Sequence, residues 1–151
     1  MNEVRGLTEG EIALARSVFH DAIDYSKVRI ANRSFIFFQP ERTLMAPMGT
    51  IHFNPKGKLF KDDFSTASIE AQGDLIHELT HCWQWQKGIF LPLKRHPFCR
   101  YDYAFKPGQA FDKYGLEQQG EIARHIFLLR RGRGVRGAPP LAQYESLWPF
   151  R

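Results

Sequence analysis

Three stretches of this chain repeat apolar residues at three- and four-residue intervals, the spacing of one helix face. After Thr8-Glu9-Gly10-Glu11, which has capping-box spacing, Ile12, Ala15, Val18, Phe19, Ala22 and Ile23 predict an amphipathic first helix. Ile69 to Lys87 contains no proline and one glycine, and predicts a longer second helix. Its residues Leu75, Ile76, Leu79, Thr80, Cys82 and Trp83 carry no charge, as expected of a helix that crosses a core. Leu116, Ile122, Ile126 and Leu129 mark a third helix within Tyr114 to Leu129. Short β-prone runs lie between the first two: Lys27 to Asn32, Ser34 to Phe38 before Pro40, and Thr50 to Asn54 before Pro55. Asp62, Asp63, Ser65 and Thr66 mark the loop and cap ahead of the second helix. The tail, Ala138 to Phe150, is rich in aromatics and predicts a turn of helix folded back on the core. The expected class is α+β, with three or four short strands beside helices.

Composition narrows the setting. At 151 residues, with 43% hydrophobic and 14% aromatic content, the chain has the size and apolar content of one folded domain, residues 1–151. No run approaches 18 apolar residues, so no membrane span is expected. Met1 to Gly6 does not read as a classical secretory leader, which predicts a cytoplasmic protein or one exported by another route. Cys82 and Cys99 make no disulfide framework and read as reduced thiols. The net charge of +5 gathers in Arg130-Arg-Gly-Arg-Gly-Val-Arg136. The glycines there favour a capped helix end over a phosphate-backbone contact, and no nucleic-acid partner is expected.

The second helix carries the chemistry. His77-Glu78-Leu79-Thr80-His81 reads HExxH, and residues four apart share a helix face. Two imidazoles can then meet at one zinc ion, with Glu78 beside them to take a proton from an activated water. A hydrolytic zinc site needs a third protein ligand. A third histidine on the same stretch would require Gly at 84 and His at 87, where this chain has Gln84 and Lys87. The third helix offers carboxylates instead. Glu117 and Glu121 lie four apart on one face; Glu117 is the expected ligand, and Glu121 the expected acceptor for the outer nitrogen of a ligating histidine. His52, alone between Ile51 and Phe53, reads as an ordinary strand residue. Gly88 to Lys113 is long, aromatic and interrupted by prolines, as a substrate wall or lid would be. Tyr103 is the first candidate there for an oxyanion donor, ahead of His96 and Tyr101.

These paired motifs resemble the gluzincin clan of zinc metallopeptidases, in which the second helix reads Glu-x-x-x-Asp. The resemblance implies a zincin-like domain, with a small sheet beside the metal-binding helix and a second ligand-bearing helix. It implies His77, His81 and Glu117 as ligands, Glu78 as general base and Glu121 in the supporting place, with Glu replacing the clan's Asp. More narrowly, Leu7 to Arg16, Ile23 to Ile30, His77 to Gln86 and Tyr114 to Ile122 resemble small bacterial Vgr-related proteins found near contractile injection (type VI secretion) systems. That resemblance implies secretion-system components as partners.

The expected reaction is amide hydrolysis on a protein or peptide. Two other readings stand beside it: cleavage of the peptide stems of peptidoglycan, and a zinc-stabilised adaptor without catalysis. An intact Glu78 argues against the adaptor, because a structural zinc site closes its fourth position and needs no base.

Overall fold

The computed structural model describes residues 4–89 and 105–151. Among them are three short strands and four α-helices. Strands β1 (Val4–Arg5), β2 (Arg29–Ala31) and β3 (Thr50–His52) form one sheet in the order β1-β2-β3. β1 runs antiparallel to β2, pairing Val4 with Ala31, while β3 runs parallel to it, pairing Ile30 with Ile51. Both isoleucines are fully buried, so one face of the sheet closes on the core. The α+β class and the small sheet agree with the sequence reading.

Two expectations need correction. The first helix, α1 (Glu9–Phe19), stops four residues short of Ile23, because His20 takes a left-handed φ of 52° that no helix can continue. Ser34 to Phe38 does not form a strand. Gln39, buried behind it, accepts the Phe35 N–H and donates to the carbonyls of Thr43 and His52. A side chain thus satisfies backbone groups that a ladder partner would otherwise take. β1 was not anticipated either, since two residues carry no period.

α1 begins with the predicted capping box: Thr8 Oγ1 accepts the Glu11 N–H, and Glu11 Oε1 accepts the Thr8 N–H. Glu11 does more than cap. Its carboxylate takes a two-pronged bond from Arg5 of β1 (2.8 and 2.9 Å) and the N–H of Phe64 (2.8 Å). Phe64 sits in the 3-10 turn Phe64–Thr66, just ahead of α2 (Ile69–Gln86). One fully buried acid therefore ties sheet, first helix and the approach to the second. Ser68 caps α2, and from Leu75 to Cys82 every residue is buried.

α3 (Leu116–Arg130) packs along α2, and α4 (Leu141–Leu147) returns the tail to the core. Trp148 is buried against Phe19 and Phe111, and its indole N–H donates to the Val18 carbonyl at 2.9 Å. Three arginines at the end of α3 and just after it are engaged within the molecule: Arg130 with Glu145, Arg131 over the Phe127 ring, Arg133 with Glu70. No helix among the described residues is long and apolar enough to cross a membrane.

Burial opposes ionisation of Glu11, but Arg5 and the N–H groups of Phe64 and Thr8 outweigh it and hold its pKa below the ordinary 4.5. The stability it contributes is present above that ordinary value and lost as pH falls through the lower folded value. Glu11→Gln is expected to cost roughly 1.5–3 kcal/mol at neutral pH, the value of hydrogen bonds to a buried charge. Urea melts of both proteins should converge once the pH drops below the carboxylate range.

Candidate metal centre

The site exists because α2 and α3 approach closely, and two glycines permit it. A Cβ on Gly120 of α3 would lie 2.8–3.0 Å from three atoms of the His77 ring. A Cβ on Gly73 of α2 would press on Arg124 and Leu128 at 3.3–3.4 Å. With both positions bare, the imidazole of His77 lies flat against the α3 backbone, between the turns that carry Glu117 and Glu121.

Four side chains converge there. Glu117 Oε1 lies 3.0 Å from His77 Nε2 and 2.9 Å from His81 Nε2. The two rings stand at 73° with centroids 5.1 Å apart. Glu78 Oε2 is farther out, 3.7 Å from His77 Nε2. His77, Glu78 and His81 form a buried group with ligand atoms within 4.8 Å of one another, able to hold a metal ion. Glu121 stands on the other side of His77, with Oε2 2.9 Å from Nδ1, and is itself gripped at both oxygens by Arg124.

The remaining nitrogen, His81 Nδ1, meets Gln84 Oε1 at 2.8 Å. The amide nitrogen of Gln84 donates to the Leu116 carbonyl and to Gln119 Oε1 (2.8 Å). Gln119 in turn donates to the carbonyls of Phe111 and Tyr114. The direction of this amide relay is fixed, so Gln84 presents an acceptor and His81 carries its proton on Nδ1. The carboxylate of Glu121 fixes the same tautomer on His77. A neutral ring held this way turns its Nε2 lone pair toward Glu117 Oε1, an arrangement that calls for a cation, a proton or a metal ion, among the three.

The electrostatics agree. Burial disfavours an imidazolium at His77, yet hydrogen bonds to Glu117 and Glu121 and the charge of Glu78 raise its pKa to about 10. Without a metal, a proton meets the pocket's demand for positive charge. Donors that share one metal ion at about 2.0–2.2 Å stand roughly 3.3 Å apart. The two spacings to Glu117 Oε1, 3.0 and 2.9 Å, are a few tenths shorter than that. A cleft of about 540 Å³ opens onto His77 and Glu78, with Arg42, Thr43, Leu44, Asp74, Glu121 and Arg124 on its walls.

Of the residues singled out from sequence, the structure brings His77, Glu78, His81, Glu117 and Glu121 together. Tyr103, His96, Tyr101 and Cys99 lie outside the described residues. His52 is apart from the cluster, its ring against Phe35 and its Nδ1 near the Arg33 carbonyl. Cys82 is a buried free thiol. Sequence reasoning missed Gln84, Gln119, Arg124 and Gly120. Gln84 carried a signal, since it stands three residues after His81 and so shares its face.

Gly120→Ala should cost about 1–3 kcal/mol, because the His77 ring is held on both sides and cannot yield. Gly134→Ala, whose Cβ would meet nothing within 4 Å, serves as the control. Thermal melts, with the imidazole NMR signals of His77 as a local probe, distinguish the two.

No protein-family model matches the chain. It is 39% identical over 142 residues to the type VI secretion system spike protein VgrG2b of Pseudomonas aeruginosa. The match takes in 89% of this chain but spans only 14% of that protein's length. A solved structure, the effector domain of Pseudomonas aeruginosa VgrG2b, superposes with a TM-score of 0.80 at 37% identity. That superposition covers 94% of this chain and 80% of the effector-domain chain. With this identity over most of both chains, the protein belongs to the family of the VgrG2b effector domain.

Proposed function

We propose that this chain is a zinc-dependent hydrolase of amide bonds, of the gluzincin type, acting as an effector domain in type VI secretion. One observation carries the chemistry: His77 Nε2 and His81 Nε2 converge on Glu117 Oε1 at 3.0 and 2.9 Å, with the outer nitrogen of each ring already held by an acceptor. The secretion role is supported by the relative named as a type VI spike protein.

In this reading His77, His81 and Glu117 are the ligands. Zinc bound there supplies Lewis acidity and lowers the pKa of a water molecule toward about 7. Glu78, next to the first ligand and facing the cleft, takes the proton from the attacking water and returns it to the leaving nitrogen. Its greater distance from the imidazoles than Glu117 suits a base better than a ligand. Glu121 and Gln84 hold the two histidines in the ligating tautomer, and Arg124 holds Glu121. Tyr103 remains the proposed donor to the oxyanion. The substrate is a protein or peptide, or the peptide stem of peptidoglycan, and components of the secretion apparatus are the proposed partners.

Purified protein should carry close to one zinc per chain, and His77→Ala or His81→Ala should strip it. Glu117→Ala should weaken zinc more than Glu121→Ala, for which a loss of about 10–100-fold is expected. The reverse order would move the ligand assignment by one helical turn.

Glu78→Gln should retain fold and zinc while hydrolysis collapses by about 10²–10⁴-fold. Incubation with casein and with purified sacculi identifies the substrate class. Undiminished cleavage by Glu78→Gln removes the mechanism, and zinc-loaded protein that cleaves neither substrate favours the adaptor.

A further inference from the structure

Phe37 and Phe38 stand out from the surface with 96% and 66% of their area exposed, their rings edge to face at 5.0 Å. Two neighbouring aromatic rings left in water mark a contact surface. The loop beneath them is built to present them. Gln39, the next residue, is 3% exposed, and its N–H donates to the Ile36 carbonyl. Its side-chain amide bonds Phe35, Thr43 and His52, and its carbonyl accepts from Asn54 at 2.7 Å. These bonds fasten the loop to β3 and the turn after it, and they keep the rings from folding inward.

The surroundings are cationic. Residues 33–43 and 52–58 pack against each other through these bonds and through the approach of Gly57 to the Glu41 backbone. They carry Arg33, Arg42, Lys56 and Lys58, all exposed, against one acid, Glu41. Arg42 Nη1 reaches back to the Gly57 carbonyl at 3.5 Å, so its charge stands beside the turn between the two lysines.

We propose that the Phe37–Phe38 tip docks this protein on an anionic lipid surface, the rings entering the interfacial region while Arg33, Arg42, Lys56 and Lys58 meet headgroup phosphates. A narrow, protruding apolar tip with cations around it matches a soft anionic interface, where aromatic rings settle and long basic side chains reach outward. The contact is peripheral, and no helix among the described residues is long and apolar enough to cross a bilayer. Arg42, Thr43 and Leu44 follow within six residues of Phe38 and line the cleft that holds His77 and Glu78. Docking through the tip would set that cleft beside the membrane surface, toward substrates held there.

Co-sedimentation of the full chain with vesicles tests this. One set contains phosphatidylglycerol and phosphatidylethanolamine, and phosphatidylcholine vesicles are the neutral control. Wild type should pellet with the anionic vesicles, and salt should weaken the binding. Phe37→Ser with Phe38→Ser should lower binding by more than about tenfold. Arg33→Glu with Lys56→Glu should lower it and flatten the salt dependence. Circular dichroism should show all three proteins folded. Wild type that stays in the supernatant, or a double-serine variant that pellets as well as wild type, overturns the proposal. So does equal binding to phosphatidylcholine. If sedimentation velocity instead finds a wild-type dimer that the double-serine variant loses, with no vesicle binding, the tip joins copies of the chain and the lipid assignment falls.

Discussion

The close passage of α2 along α3 is the constraint on which the rest of the molecule turns. A side chain at position 120 would drive into the His77 ring, and one at position 73 would crowd Arg124 and Leu128 of α3. The other elements brace that contact. Glu11 fixes the turn from which α2 starts, Trp148 ties the tail to Val18 of α1, and Tyr144 ties it to His125 of α3. Interior packing has little slack, so a shift of one element would pass directly to the histidines.

Burying this much charge is costly, and the structure offsets it in layers. The carboxylate of Glu117 meets two imidazoles, Glu121 meets one imidazole and a guanidinium, and Gln84 and Gln119 end the network on backbone carbonyls. Each outer partner removes a rotational or tautomeric choice from a group nearer the centre. The result is preorganisation: both rings are held in place around the Glu117 carboxylate. Arg124 at the outer edge of the network also faces the cleft, so the groups that order the histidines stand next to the space a substrate would enter.

Much of this was legible because helical spacing is a strict rule. The i,i+4 pairs 77/81 and 117/121 fall on shared faces wherever a helix forms, and the Thr8–Glu11 box and the apolar tail announce themselves locally. What could not be read depends on distant partners. Ser34 to Phe38 has the composition of a strand, but Gln39 occupies the edge it would need. Ala22 and Ile23 continue the helical period, yet the backbone turns at His20. The part played by Gln84 depends on a second amide 35 residues away, which no local spacing reveals. Gly120 looks like a weakness in a helix until the ring lying against it is seen.

Cys82 adds a different kind of consequence. It sits one residue past His81, fully buried, and burial together with the charge of Glu78 pushes its thiol pKa well above the usual range. Oxidants and disulfides react with thiolate, and a buried thiol held in its protonated form offers them almost none. The thiol on the helix that bears both histidines is therefore shielded from redox exchange.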